Sequence, residues 1–212
     1  MPTLEQAQSW YPTDPVHGFD HVQRVYRLAS HIAQAEGADL AIVQAAALLH
    51  DAQEDQRSAT STARLTHQHA SASFAAQILA AEGWTEERIA AVQHCIRAHR
   101  FRDDSEPPQT LEARVLFDAD KLDAIGAVGV VRAIAYAITH RNPPYAEPSP
   151  QFIEHGQLKE SEPHSAYHEY LFKLRKLKDR LYTPTARTIA TERHREMVAF
   201  FERLKQEMND RG

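Results

Sequence analysis

The run from Leu40 to Leu49 is apolar almost all round and follows Asp39, a good helix N-cap. A helix without a polar face has to be enclosed by others, so this segment demands a bundle of helices around it. It ends in His50-Asp51, an expensive place for two polar groups unless they are paired or bind a cation. The plain alternative is a helix-terminal histidine near the negative end of the dipole, with its carboxylate in water.

The rest of the chain supplies the enclosing helices. From Asp20 to Glu36 the apolar residues Val22, Val25, Tyr26, Ala29, Ile32 and Ala33 recur at steps of three and four, and Gly37 follows as a stop. The polar stretch from Ala52 to Arg64 reads as a loop into a helix from about Thr66 to Glu82 that Gly83 closes. Thr85 caps a further helix to about Arg100, with Glu86 and Glu87 well placed in its first turn. After Pro107-Pro108, helix resumes near Thr110 and, past Gly126 and Gly129, either continues or kinks until Thr139. Residues 141–163 hold Pro143, Pro144, Pro148, Pro150 and Pro163 and read as a long loop, the natural place for a lid. Amphipathic segments at about His164 to Leu181 and Pro184 to Met208 finish the chain, with Thr183-Pro184 as cap and first turn between them. No stretch shows two-residue alternation and none repeats. The pattern predicts an all-α protein: one domain over 1–212, a loop at about 141–163 and C-terminal helices at about 164–209.

At 212 residues such a domain buries its core without disulfides, and the lone cysteine, Cys95, reads as a small core residue rather than a nucleophile. A net charge of -5 disfavours a duplex nucleic-acid surface and an anionic membrane. The start of the chain has no signal core and no run is long enough to span a bilayer, so a cytoplasmic protein is expected. No sustained heptad demands a coiled coil, which leaves monomer or homodimer open.

Thirteen histidines against seven glycines is the odd feature, because imidazole is both a metal ligand and a near-neutral acid or base. His21 borders the apolar stripe one position before Val22, so it points near the core. Asp120 follows Leu116 and Phe117 by four and three residues, beside another apolar face where a lone aspartate is rarely tolerated. Two imidazoles and two carboxylates make a site suited to Mn²⁺, Fe²⁺, Co²⁺, Ni²⁺ or Zn²⁺.

Four segments in this order resemble the stand-alone HD-domain phosphohydrolases. They are Gly18-Phe19-Asp20-His21 leading to Arg24-Val25, Ala46 to Asp51, Cys95 to Phe101, and Leu116 to Gly126; Lys173-Leu174, Leu177 to Leu181 and Thr183 extend the likeness. The resemblance implies an HD-domain helical bundle with one divalent ion, Mn²⁺ first and Ni²⁺, Co²⁺, Fe²⁺, Zn²⁺ or Mg²⁺ as alternatives. Its ligands fall on His21, His50, Asp51 and Asp120, with Asp118 as the competitor for the last place. It implies hydrolysis of a phosphate monoester or pyrophosphate on a small substrate, a nucleotide first, by metal-activated water.

Arg24, one turn from His21, and Lys121, directly after Asp120, are the cations placed to meet a phosphate, with a surface role as the alternative. His-Asp-x-x-Glu-Asp resembles the corresponding stretch of HD hydrolases acting on guanosine pyrophosphate alarmones, which makes Glu54 and Asp55 the acid–base candidates against a solvated acidic loop. His69 and His99 are read as lining the phosphate pocket. As extra metal ligands they would instead make a di-iron oxygenase. A third reading is a catalytically silent nucleotide-binding module.

Overall fold

The structure is a computed structural model that describes residues 1–12, 18–53, 61–100 and 106–209, with 61–67 described by backbone alone. The described elements are all helical, as the periodicity predicts. They form two compact units: residues 1–120 with 182–186, and residues 121–181 with 187–212. No single described helix is long and apolar enough to cross a membrane.

The first unit holds α1 (Leu4–Gln8), α2 (Phe19–Glu36), α3 (Leu40–Leu49), α4 (Ser61–Ala81), α5 (Glu86–Ala98) and the body of α6 (Leu111–Asp123). The apolar helix α3 packs against α2, α4 and α5, and every residue from Ala45 to Leu49 is buried. Its start is fixed locally. Asp39 accepts from the Ala41 and Ile42 amides, and its carboxylate, held low chiefly by the Arg88 hydrogen bond, also takes Arg88 Nη1 at 2.9 Å. Gly37 ends α2 in the left-handed conformation (φ 78°), its amide donating to Ala33 O. The sequence reading lacks α1. It is seated by the segment after it, where Tyr11 donates to Leu48 O at 2.8 Å and packs in one cluster with Ala7, Val22 and Ala52.

The second unit holds the end of α6, α7 (Gly126–Thr139), α8 (Pro150–His155), α9 (Ala166–Phe172), a 3-10 helix (Leu174–Arg180) and most of α10 (Pro184–Asn209). Gly126 and Gly129 break the helix between Thr110 and Thr139 rather than letting it run on. Gly126 turns at φ 76°, and a Cβ on Gly129 would lie 2.2 Å from Ala124 O. The freed end of α6 is satisfied by Arg193, whose Nη1 donates to Leu122 O at 2.6 Å.

Two expectations change here. The segment 141–163 is not loop throughout: Ser149 caps α8 by accepting from Phe152 N, Pro150 sits at its first turn, and Gly156 closes it at φ 69°. It is also pinned, since Glu162 accepts from Ser149 N, Ser149 Oγ and Lys159 N, each at 2.7 Å. The helix expected from about His164 to Leu181 is two pieces, α9 and a 3-10 helix. In the latter the buried residues Leu174 and Leu177 stand three apart, the spacing at which side chains align in that helix.

Candidate metal centre

His50 is the residue that terminates α3, with helical backbone angles and a fully buried ring. Its Nδ1 lies 2.9 Å from Ala47 O. A carbonyl only accepts, so Nδ1 carries the hydrogen and Nε2 is left with a lone pair. That Nε2 is buried and makes no hydrogen bond. Burial pushes the His50 pKa down to about 4, with the neighbouring His99 and His21 adding to the fall and Asp51 and Asp120 opposing it.

Three more side chains converge on the same point. Asp51 Oδ2 is 3.4 Å from His50 Nε2. His21, buried on the first turn of α2, meets the His50 ring edge to face at 5.5 Å between centroids. One ligand atom from each of His21, His50 and Asp51 lies within 4.8 Å of the others, the only such group of three among the described residues. Asp120, partly buried on α6, places Oδ1 3.5 Å from His21 Nε2.

Its competitor is committed elsewhere. Asp118 is fully buried and accepts from Tyr182 N at 2.9 Å, Thr183 N at 2.7 Å and Thr183 Oγ1 at 2.7 Å. A carboxylate with three donors on it serves as an anchor for the returning chain, whereas Asp120 faces the imidazoles.

His99 arrives by the same device as His50. It terminates α5, is buried, and its Nδ1 donates to Ile96 O at 2.5 Å. Its Nε2 is 3.4 Å from Asp51 Oδ1, and its ring meets that of His50 at 5.3 Å. His69 stands apart, exposed on α4. Arg24 lies one turn beyond His21 and is partly buried; Lys121 is buried at 8% exposure and belongs to the second unit. Glu54 and Asp55 lie outside the described residues. Cys95 is buried, and burial raises its thiol well above the ordinary range, which removes it as a nucleophile.

Two histidines with an aspartate next in sequence to one of them, at the end of a buried helix in an all-helical unit, define a class. The HD-domain model matches residues 18–125, and this chain belongs to the HD-domain family. It is 35% identical to YpgQ of Bacillus subtilis over 96% of this chain and 93% of that protein. The crystal structure of Bacillus subtilis YpgQ in complex with ADP is similar at 32% identity, with a TM-score of 0.73, over 98% of this chain and 99% of that one. An HD-superfamily hydrolase from Bacillus thuringiensis is similar at 27% identity, with a TM-score of 0.71, over 98% of this chain and 95% of that one.

The donor set fits a divalent ion. The HD-domain family binds divalent metals, and here a buried imidazole nitrogen with a free lone pair stands beside a second imidazole and a carboxylate.

Proposed function

We propose that this chain is a metal-dependent phosphohydrolase that cleaves a phosphate monoester or pyrophosphate bond, by metal-activated water, on a small phosphorylated substrate of the nucleotide class. The observation that carries the reading is Nε2 of His50. A buried nitrogen without a hydrogen bond costs about 1–3 kcal/mol, and a cation shared with His21 and Asp51 offsets that cost. The low pKa of His50 supports the same reading, because only the neutral ring offers a lone pair at neutral pH.

His21, His50, Asp51 and Asp120 would hold the ion, with Mn²⁺ as the first choice. When bound, a divalent ion lowers the pKa of a water and polarises a phosphoryl oxygen. The chain's own part is to present two imidazoles and two carboxylates from its packed helices, with Arg24 one turn from His21 as the cation for a phosphate oxygen. Glu54 and Asp55, three and four residues beyond Asp51 in the sequence, are the proposed acid and base. The complex of YpgQ with ADP supports a nucleotide as the ligand class. The exposure of His69 gives no support to the di-iron alternative, which needs it as a ligand.

The test is a panel of phosphorylated metabolites assayed with Mn²⁺, Co²⁺, Ni²⁺, Zn²⁺ and Mg²⁺ for release of phosphate or pyrophosphate. Turnover that a chelator stops and one of these ions restores is the expected result. Tight nucleotide binding with no turnover under any metal would replace the enzyme with the silent binding module.

A further inference from the structure

The His50-Asp51 doublet lies in a turn that two hydroxyls hold from either side. Ahead of it, Tyr11 Oη donates to Leu48 O at 2.8 Å, two residues before His50. Behind it, Gln53 N donates to Ser71 Oγ at 3.2 Å, two residues after Asp51. The last carbonyls of a helix have no partner in the helix itself. At the end of α3 they are taken one by one: Ala47 O by His50 Nδ1, Leu48 O by Tyr11, and Leu49 O by the Ala52 amide at 3.3 Å. Both hydroxyls come from the core of the first unit, Ser71 fully buried on α4, which packs on α3, and Tyr11 buried ahead of α2. The Tyr11 ring lies 6.1 Å from that of Phe19, the first residue of α2, and shares one cluster with Val22, Leu48 and Ala52. Val22 follows His21 and Ala52 follows Asp51, so that cluster joins the neighbours of ligand residues from α2 and from the end of α3.

We propose that Tyr11 and Ser71 are positioning residues of the metal centre, which hold the His50-Asp51 turn in the setting at which its donors meet those of His21. The proposal rests on the metal reading above. Asp51 lies past the last residue of α3, where the helical ladder no longer fixes the backbone. Hydrogen bonds to the carbonyl of residue 48 and from the amide of residue 53 fix it instead, on both sides of the doublet. An ion that meets an ordered turn does not have to order it on binding, and ordering completed in advance appears as affinity.

The test separates affinity for the ion from stability and from activity. Mn²⁺ binding to the purified, metal-stripped protein is measured by calorimetry for the wild type, Tyr11→Phe, Ser71→Ala and Trp10→Phe, each well below its unfolding midpoint. Phe keeps the ring of Tyr11 and removes its donor; Ala removes the Ser71 acceptor at nearly constant size. Trp10 is the comparison for packing alone, since it meets Phe74 edge to face at 5.5 Å in the same segment. A hydroxyl that only stabilises the fold lowers the midpoint and leaves the affinity of the folded protein unchanged. Tyr11→Phe and Ser71→Ala should each weaken Mn²⁺ binding by about 2- to 10-fold, the scale of one hydrogen bond, with Trp10→Phe at the wild-type value. Wild-type affinity in either hydroxyl variant overturns the proposal, and so does an equal loss in Trp10→Phe. Should Tyr11→Phe not fold, judged by its thermal unfolding, Ser71→Ala decides alone. A wild type that binds no Mn²⁺ overturns the metal reading and the proposal with it. A failure of the functional reading looks different: the wild type then binds Mn²⁺ and hydrolyses no phosphorylated compound, and the affinity comparison still decides the roles of Tyr11 and Ser71.

Discussion

Two buried histidines, each beside a carboxylate, show what separates a site from a strut. In the second unit His168 is fully buried, with Nδ1 2.7 Å from Ser165 Oγ and Nε2 3.0 Å from Glu162 Oε1. Its carboxylate partner also takes three further hydrogen bonds, from Ser149 and Lys159, and these bring Glu162 down to about 2. Every nitrogen there has a partner within the protein. In the first unit His50 is as deeply buried, yet its Nε2 makes no hydrogen bond. Saturated polar clusters hold segments together, whereas a buried lone pair left over marks a place where something else binds.

The largest effect is expected at Asp51: Asp51→Ala should lose the metal, and with it turnover, because a methyl cannot replace a charged ligand. Elemental analysis of the purified variant decides this, and one tightly held ion per chain at wild-type affinity would remove Asp51 from the ligand set.

Next comes the pair on α6. Asp120→Ala should lose metal and keep its fold. Asp118→Ala should keep metal affinity but lose about 2–5 kcal/mol of stability, since it leaves the two buried Thr183 donors, and the Tyr182 amide, without their acceptor. Urea unfolding and Mn²⁺ titration of both variants check the contrast, and a reversed pattern would put the ligand on Asp118.

A smaller loss, about 1–3 kcal/mol with metal binding untouched, is expected for His168→Phe, measured from the unfolding midpoint. Metal loss in that variant would erase the distinction between the two histidines.

The smallest effect depends on pH. The folded pKa of Glu162 lies below its ordinary carboxylate value, so its contribution is complete above about 4.5 and fades as pH falls from there through about 2. The melting temperatures of wild type and Glu162→Gln should therefore differ at pH 7 and converge toward pH 2. A gap that stays constant across that range would show that Glu162 does not act as a charged acceptor.

Much of the fold is legible because its signals are local. Gly37 and Gly83 stop helices, Asp39 and Thr85 start them, and the apolar run to Leu49 makes the polar pair after it conspicuous. The break at Gly126 is legible only as a choice, because its resolution depends on the Cβ that Gly129 lacks and on Arg193, 71 residues beyond the carbonyl it caps. Sequence favours Asp120 over Asp118 only by motif, because the hydrogen bonds that occupy Asp118 come from residues 64 and 65 positions further on. The neighbourhood of His99 signals the end of a helix but not the carboxylate it meets, since that depends on how α5 packs on α3. His168 reads as an ordinary histidine in the sequence because Ser149, Lys159, Glu162 and Ser165 come together around it only after the chain has folded back on itself.

The anchor at Asp118 also sets an order of events during synthesis. The carboxylate is in place once α6 has formed, but the Tyr182 and Thr183 amides that neutralise its burial are made more than 60 residues later. Thr185, whose amide donates to Glu36 Oε1 at 2.7 Å, arrives with them. A nascent chain that ends before residue 182 therefore carries Asp118 without the Tyr182 and Thr183 donors, and residues 182–186 join the first unit when they return. For the same reason a fragment cut to the matched span, residues 18–125, is expected to be recovered as an unstable or aggregating product, while one that continues through the first turn of α10 keeps the strap that completes the unit.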